Sequence, residues 1–474
     1  TAQRVGKFVP FTDSGTIANS VIFNSPDDPK LGKTFSGAGT EETWTFSCWI
    51  KLGIDTSNGR RMIFSAGSAG SNFGGAEMSS TGDNSLEFYN YVSGSYAWRL
   101  QTNRTLEDRS KWYHLLFVSD TTNSTEADRA RIYIDGERVT SFATASYPSL
   151  NYANNFWMGT TEHEIGTSIF TTQNFDGYMA EVNNIDGSVV LPSTFGLTDT
   201  STGRWIPKTL SGISYGTNGF RLTFADSSAF GDDTSGNTND FTVANLVAGD
   251  QTTDSPTQNS NTFGSTSSGV TLSEGNLTVN TGTSGSYIQA VGQPAFGVRS
   301  GKWYWEVKIT TLGAAVYGWK DDGATGGSQA NDGGSSQSAG LSTGSAGSFS
   351  AGSWFIDLDY DNEVNYTTVS TNDVLMFAMD LDSGKGYCGK NGTWFNSANP
   401  ANGTGAIGGC HRANGTNKFY PCVNRLDSAS VGEFNFGQRS FAYTAPTGFL
   451  TLQQDNLPET DKGLSDFVWA KSRD

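Results

Sequence analysis

Carboxylate and histidine side chains are the first candidates for chemistry in this sequence. A glycoside hydrolase needs two carboxylates about 5–9.5 Å apart across one cleft. Asp357, Asp359 and Asp361 have the alternating spacing that places three carboxylates on one face of a strand, and residues 162–164 (EHE) combine acid, base and metal-ligand types. We interpret the first run as a solvated strand and turn and the second as a polar loop without partners. Three histidines and four cysteines give no zinc-type spacing, so we predict that the protein is not an enzyme.

Aromatic side chains offer a second kind of chemistry, which is stacking on the apolar face of a sugar ring. In residues 86–92 (LEFYNYV) the alternation turns the aliphatic and phenylalanine side chains inward. Tyr89 and Tyr91 then point to the opposite face, with Tyr96 and Trp98 nearby. We predict these four residues as glycan-contact candidates. Packing against a neighbouring loop or a second chain is the alternative interpretation.

Composition excludes several classes of protein. The 474 residues carry 30 Lys+Arg and 47 Asp+Glu, a formal charge of −17, which disfavours binding to nucleic acid. No apolar run approaches the 18 residues of a membrane span, and the first residues show no apolar signal segment. Four cysteines cannot form a disulfide framework, although a single Cys410–Cys422 bridge stays open.

Strand-type periodicity dominates the chain. Aromatic or β-branched residues alternate with small or polar ones in residues 43–51, 130–136, 302–309 and 374–380, and Asp-Gly and Asn-Gly pairs punctuate these runs. Convincing helical patterns are nearly absent. The sequence therefore predicts an all-β protein built from two antiparallel β-sandwiches.

Two composition shifts predict the boundaries between the parts of the chain. Residues 226–262 are rich in Asp, Ser, Thr, Asn and Gly, so we interpret them as a polar linker, although residues 241–243 could still add a strand. Residues 323–352 are almost pure Gly, Ser and Ala, which is typical of a long surface loop inside the second sandwich.

The first half resembles the laminin G-like or pentraxin-like branch of the concanavalin A-like jelly rolls. Three ordered matches carry the resemblance: residues 44–51 (WTFSCWIK), then residues 112–114 (WYH) with 131–136 (RIYIDG), then residues 175–182 (FDGYMAEV). This likeness implies a jelly roll over residues 19–225.

The second half resembles a SPRY domain, which is another sandwich of the same broad kind. Five ordered matches carry this resemblance: residues 301–307 (GKWYWEV), 374–385 (VLMFAMDLDSGK), 390–394 (KNGTW), 419–423 (FYPCV), and 435–438 (NFGQ) with 446–449 (PTGF). The likeness implies a SPRY-like sandwich over residues 263–455. The Gly/Ser insertion at 323–352 departs from a compact domain of that kind.

The connecting segments resemble a family of structural proteins of tailed bacteriophages, many of them marine. The matches are residues 19–24 (NSVIFN), 180–187 (AEVNNIDG), 203–208 (GRWIPK), 215–220 (YGTNGF) and 240–246 (DFTVANL). In that family a laminin G-like sandwich precedes a SPRY-like module in fibre or appendage proteins. The resemblance implies a virion subunit, exposed on the particle, that presents its sandwiches for attachment to a host surface or glycan.

Several expectations follow from this resemblance. Residues 1–18 are predicted to be an arm that anchors the chain to other virion proteins, residues 456–474 form a C-terminal extension, and the chain associates with itself, with a trimer favoured. Relatives with laminin G-like or pentraxin-like folds often hold calcium, for which Asp186, Asp232 and Asp233 are candidates by composition only; solvated acidic turns are the alternative. No other cofactor is expected.

Two other functions stay open. One is a secreted or surface lectin-like adhesion protein, which would bind sugar as an isolated monomer. The other is a polysaccharide-degrading enzyme, which ranks last because no carboxylate pair is visible.

Overall fold

Strands make up nearly all the regular structure of this computed structural model. It describes residues 14–54, 59–79, 84–154, 156–170, 173–200, 202–265, 269–282, 293–294, 297–321, 338–343, 353–356, 364–410, 418–425 and 428–457. Four large, almost entirely antiparallel sheets, here named A to D, pair into two sandwiches. The prediction of an all-β fold with two sandwiches is confirmed.

Sheets A and B form the first sandwich. Sheet A runs, in spatial order, through Glu137–Arg138, Ala130–Ile134, Tyr113–Asp120, Thr43–Leu52, Gly177–Asp186, Ser20–Phe23 and Gln251–Thr252, and Phe220–Leu222 also pairs with Gly177–Asp186. Sheet B runs through Phe142–Ser146, Ser95–Thr105, Ser85–Val92, Asn72–Met78, Arg61–Ala69, Glu162–Ile165, Lys30–Thr34 and Thr242–Ala244.

Sheets C and D form the second sandwich. Sheet C runs through Thr271–Ser273, Thr278–Asn280, Val431–Asn435, Lys302–Thr311, Val374–Asp380, Lys385–Lys390 and Thr393–Trp394; Gly408–Gly409 and Leu450–Thr451 pair at its side. Sheet D runs through Val364–Asn365, Ser353–Ile356, Ser338–Ser342, Ala315–Asp321 and Phe419–Arg425. A strand therefore lies within residues 323–352, where the sequence predicted only a loop.

The remaining elements are short. Two small two-stranded sheets pair Gly196–Thr198 with Trp205–Pro207 and Phe263–Ser265 with Gln293–Pro294. Single 3-10 turns lie at Ser25–Asp27, Glu126–Asp128, Pro192–Thr194, Ala248–Asp250, Phe395–Ser397, Pro400–Asn402 and Gln454–Asn456. In the ranges that the structure describes, no helix has the length and apolar character needed to cross a bilayer.

Each sandwich buries its own aromatic core, as the alternation along its strands requires. In the first sandwich Phe46 of sheet A meets Phe64 of sheet B at 4.1 Å between ring centroids, and Trp157 packs on Phe64 at 4.5 Å. In the second, Trp305 of sheet C stacks on Phe377 of the neighbouring strand at 5.5 Å and meets Trp319 of sheet D edge-on. Edge and offset contacts of this kind add to the free energy of burial.

The segment 226–262 is not a loose linker. Thr242–Ala244 extends sheet B, Gln251–Thr252 extends sheet A, and most residues from 252 to 263 are buried. The strand that residues 241–243 could add is confirmed as Thr242–Ala244. Backbone pairing and apolar contacts both hold the segment, since Phe230 and Phe241 are buried in the core of the first sandwich.

A buried ion pair holds this segment against sheet A. The Lys51 ammonium donates to Asp254 Oδ2 at 2.8 Å, to Asn259 Oδ1 at 2.9 Å and to the Ser260 carbonyl at 2.7 Å. Both charged side chains are 0% exposed. Trp112 Nε1 donates to the other oxygen of Asp254 at 2.9 Å. We call these groups the junction network, because they lie where apolar side chains of sheet A meet the second sandwich.

The ends of the chain and the cysteines differ in part from the sequence predictions. Residues 14–18 of the predicted arm pack on the first sandwich, where Ile17 is buried; residues 1–13 and 458–474 lie outside the described residues. All four cysteines are buried and unbridged, so the Cys410–Cys422 disulfide does not form.

Candidate functional site

Three of the four predicted glycan-contact residues, Tyr89, Tyr91 and Tyr96, lie on the face of sheet B that is turned away from the core. Tyr91 and Tyr96 are half-buried there, 5.1 Å apart between ring centroids, with Phe73 at 5.4 Å from Tyr91 and Phe170 at 5.9 Å from Phe73. Phe170 is 38% exposed. We call Phe73, Tyr91, Tyr96 and Phe170 the aromatic patch.

Two of the four predicted contacts are unavailable to a ligand. Tyr89 points to the predicted face but is fully buried, because Phe73 and Tyr96 cover its ring. Trp98 is 1% exposed and packs on Phe88 in the core. The register slips between the pairs Asn90–Trp98 and Tyr91–Tyr96, so a bulge puts Tyr96 and Trp98 on opposite faces despite their even spacing.

A layer of charged side chains lies beside the patch on the same face. Glu77 and Glu87 are directly opposite each other on neighbouring strands, and both are 0% exposed. Arg99 binds Glu87 with two hydrogen bonds, of 2.6 and 3.0 Å, while Arg60 lies 2.8 Å from Glu77. The same two arginines hold Tyr96, one over its ring at 4.7 Å and the other by donating to its hydroxyl at 3.1 Å. The patch is therefore fixed in place before any ligand arrives.

This carboxylate pair was missed in the sequence because its members belong to different strands. Residues opposite each other on antiparallel strands have Cβ atoms about 4.5–5.5 Å apart, so their side chains are neighbours although they are separated in the sequence. Burial raises the pKa of Glu77 to about 8 against the opposing effect of Arg60. Both carboxylates are closed off from solvent and bound to arginine, so the described arrangement orients the patch and offers a substrate no access.

Asp186, a calcium candidate, has a structural role. Its two oxygens accept hydrogen bonds from the backbone N–H groups of Thr40, at 2.6 Å, and Asn218, at 2.9 Å, and the side chain is nearly buried. This arrangement ties the loop after residue 34 to the segment before Phe220–Leu222. Oxygens that already accept amide hydrogens leave little room for a cation.

Asp233 organises a polar turn in a similar way. One oxygen accepts from the Arg221 and Ser235 amides and the other from the Asn239 amide and the Ser235 hydroxyl, all at 2.8 Å. Asp232 is exposed beside it. Over the described ranges, no group of three or more His, Cys, Asp or Glu side chains is placed to hold a metal ion.

Residues 162–164 form a strand of sheet B and not a polar loop. Alternation sends His163 into the core and leaves its neighbours on the outer face, where Glu164 meets Lys30 at 2.7 Å. The His163 ring is fully bonded as a neutral group, because Nδ1 lies 2.8 Å from the Thr161 carbonyl and Nε2 accepts from the Met158 amide. Burial lowers its pKa to about 4. Asp357, Asp359 and Asp361 lie outside the described residues.

The sequence also missed Phe73 and Phe170. Phe73 reaches Tyr91 by cross-strand pairing, and Phe170 comes from a distant loop. Alternation within residues 86–92 carried part of the signal, because it places Glu87 on the same face as Tyr89 and Tyr91.

Comparison with known proteins identifies part of this architecture. The model of the concanavalin A-like lectin/glucanases superfamily matches residues 31–188, one third of the chain. No curated protein matches the sequence. Similar solved structures include a heptameric SAP-like pentraxin from Limulus polyphemus, with 16% identity over 37% of this chain and 80% of that one and a TM-score of 0.28.

Two further solved structures are similar at the same low level. The SPRY domain of human HERC1 has 14% identity over 35% of this chain and 91% of its own, with a TM-score of 0.24. Domains LG4-5 of the mouse laminin alpha1 chain have 9% identity over 93% and 96%, with a TM-score of 0.28. The matched residues, 31–188, supply strands to both sheets of the first sandwich, and the match supports a laminin G-like, concanavalin A-like fold for it.

Proposed function

We propose that this protein is a non-catalytic, glycan-binding subunit of a fibre or appendage on the outside of a tailed-bacteriophage particle. The aromatic patch carries the binding part of the proposal. Its rings are partly exposed, rigidly held and bordered by arginines. Such a surface suits a sugar, because an aromatic ring covers the apolar face of the sugar while polar neighbours bind its hydroxyls.

The burial of the carboxylates supports binding rather than catalysis. The carboxylates nearest the patch are buried and bound to arginine, and the pair Glu77–Glu87 lies beside it, closed off from solvent, rather than in an open cleft. The concanavalin A-like superfamily includes lectins as well as glucanases. A fold that serves both functions leaves the decision to the site.

The location on a virion rests on the resemblance of the connecting segments and of the second, SPRY-like half. We propose that residues 1–13 and the packed residues 14–18 together attach the chain to other virion proteins, and that a trimer presents three patches. Large apolar side chains remain exposed for such an assembly: Leu150, Leu191, Val247, Leu312 and Leu450. A secreted or surface lectin-like adhesion protein is the second candidate, since it would use the same patch.

Truncating the patch is expected to remove glycan binding without unfolding the protein. Tyr91→Ala with Phe170→Ala should weaken binding to a panel of bacterial surface polysaccharides by tenfold or more, because stacked aromatic rings supply about 1–2 kcal/mol each. Binding is measured by biolayer interferometry on the full chain. Tyr443→Ala, which removes a half-buried aromatic ring of the second sandwich, is the matched control and should bind normally. Unchanged binding by the double variant would exclude the patch.

The mass of the chain in solution separates the two candidates. A fibre subunit is expected to give three times the 50.6-kDa mass of one chain by light scattering, and the mass should not change in EDTA because no acidic cluster in the described ranges is placed to hold calcium. A monomer that binds glycan would favour the adhesion protein. Dissociation in EDTA would instead reveal a structural cation.

A further inference from the structure

A cavity of about 230 Å³ lies on the outer face of sheet A, remote from the core of the first sandwich. Two other parts of the chain pack on this face: the second sandwich and the segment after residue 188. Trp49 and Ile17 belong to the apolar cluster shared with the second sandwich, whereas Phe195 belongs to the cluster formed by the segment after residue 188. All three residues line the cavity, which therefore lies between the second sandwich and the segment after residue 188. Its size suits a ligand smaller than the drug-sized molecules that fill pockets of about 300–1,000 Å³.

A backbone irregularity places a charged group in this cavity. Sheet A pairs Ala180 with Trp49 and then Asn183 with Ser47, so two residues face one and the strand bulges at Glu181. Glu181 has a φ of 48°, which is unusual for a residue with a side chain. Bulges re-aim side chains and occur next to binding sites more often than elsewhere. Glu181 and Asn183 both line the cavity.

The charge of the cavity is opposite to that of the protein. Arg221 and Lys208 line it together with a single carboxylate, Glu181, although the chain carries a formal charge of −17. Arg221 Nε donates to Glu181 Oε1 at 2.5 Å, which fixes the guanidinium. Within the ranges that the structure describes, the two terminal amino groups of Arg221 make no hydrogen bond. They offer the planar fork that binds a carboxylate with two hydrogen bonds.

Neutral hydrogen-bonding groups complete the wall. Ser47 lines the cavity, and its hydroxyl lies 2.9 Å from Nε2 of His114, whose ring packs on Trp49 at 4.9 Å. The other ring nitrogen of His114 is buried without a hydrogen-bond partner among the described residues. Trp49 and Phe195 supply apolar faces, and the Ser47 hydroxyl matches a hydroxyl of a ligand. The Asn183 amide is already bonded, because its oxygen accepts from the Tyr215 hydroxyl at 2.7 Å and its nitrogen donates to the Glu181 carbonyl at 3.0 Å.

From this wall we infer that the cavity binds one sugar ring that carries a carboxylate, the class to which hexuronic acids belong. Arg221 binds the carboxylate, Glu181 and Ser47 bind ring hydroxyls, and Trp49 and Phe195 lie against the apolar side. The ligand is either a free sugar acid or the terminal residue of an acidic polysaccharide. The site is separate from the aromatic patch, so its failure would leave the proposed function intact.

Titration of the full chain with glucuronate, followed by saturation-transfer NMR of the ligand, tests this inference. Saturable binding is expected, with glucose at least about tenfold weaker because it lacks the charged group. Arg221→Gln should weaken glucuronate binding by at least about tenfold. Arg439→Gln breaks a similarly exposed ion pair, with Glu433, and is the matched control that should bind normally. If a methyl glucuronide binds as well, the natural ligand is the terminal residue of an acidic polysaccharide. If only free glucuronate binds, the natural ligand is the free sugar acid.

Three results would overturn the inference. They are no saturable binding of glucuronate, equal binding of glucose, and unchanged binding by Arg221→Gln. If Arg221→Gln does not fold, Arg221→Lys keeps the charge beside Glu181 but loses the fork, and it should still bind glucuronate several-fold more weakly. Wild-type affinity in Arg221→Lys would also contradict the assignment.

Discussion

Replacing Lys51 with methionine is expected to lower the free energy of unfolding by about 3–5 kcal/mol, since the change leaves the buried Asp254 carboxylate without its cation. The Lys51 ammonium donates three hydrogen bonds, and methionine has no donor to replace them. The same change should loosen the contact between the sandwiches, because Asp254 belongs to the segment that joins them. Denaturant unfolding of the full chain measures the first effect and limited proteolysis within residues 226–262 the second.

Two further variants give this experiment its controls. Arg138→Gln breaks an exposed ion pair with Asp128, of 2.7 Å, and should change stability by less than about 1 kcal/mol. Lys51→Met combined with Asp254→Asn should recover part of the loss, because the uncompensated charge is gone while the Trp112 contact can still form. A cost below about 1 kcal/mol for Lys51→Met alone would show that the junction network does not stabilise the fold.

Acidification is expected to destabilise the first sandwich through two buried histidines. Burial lowers the pKa of His114 and of His163 to about 4, whereas each has an ordinary value of 6.5 when unfolded. Between these values only the unfolded chain takes up the proton, so the stability present above pH 6.5 is lost as the pH falls. The loss approaches about 3 kcal/mol per histidine by pH 4.

Glu77 has the opposite effect on stability as the pH falls, so the contribution of the histidines has to be separated from it. Its raised pKa, about 8, means that the folded protein takes up a proton as the pH falls from 8 to 4.5 and gains stability. The histidine contribution is therefore measured as the difference in the free energy of unfolding between the wild type and His163→Gln from pH 7 to 4. The variant should lose less stability than the wild type as the pH falls. The NMR titration of the His163 ring gives its pKa directly. A value near 6.5 would contradict the prediction.

Much of the fold was predictable from local patterns. Alternating aromatic and polar residues decide which face of a strand is buried, and Asp-Gly and Asn-Gly pairs decide where strands turn, so the two sandwiches followed from neighbouring residues alone. Polar segments carried less information. The strand at Gln251–Thr252 is held by backbone hydrogen bonds to a distant strand, and backbone pairing leaves almost no trace in side-chain type.

The candidate sites show the same division. Alternation alone placed Tyr91 and Tyr89 on the outer face of sheet B. It could not show that neighbouring side chains bury Tyr89, or that a bulge places Trp98 in the core. Burial and register depend on residues of other strands.

Tertiary structure alone brought the charged groups together. Glu77 meets Glu87 across a strand pair, Lys51 meets Asp254 across 203 residues, and Glu181 meets Arg221 across 40. The sequence by itself determined that this protein is a pair of β-sandwiches, because strand periodicity is a local property. Only the tertiary structure decided which polar side chains are buried as partners and which line a surface or a cavity, because charge pairing and burial depend on contacts between residues far apart in the chain.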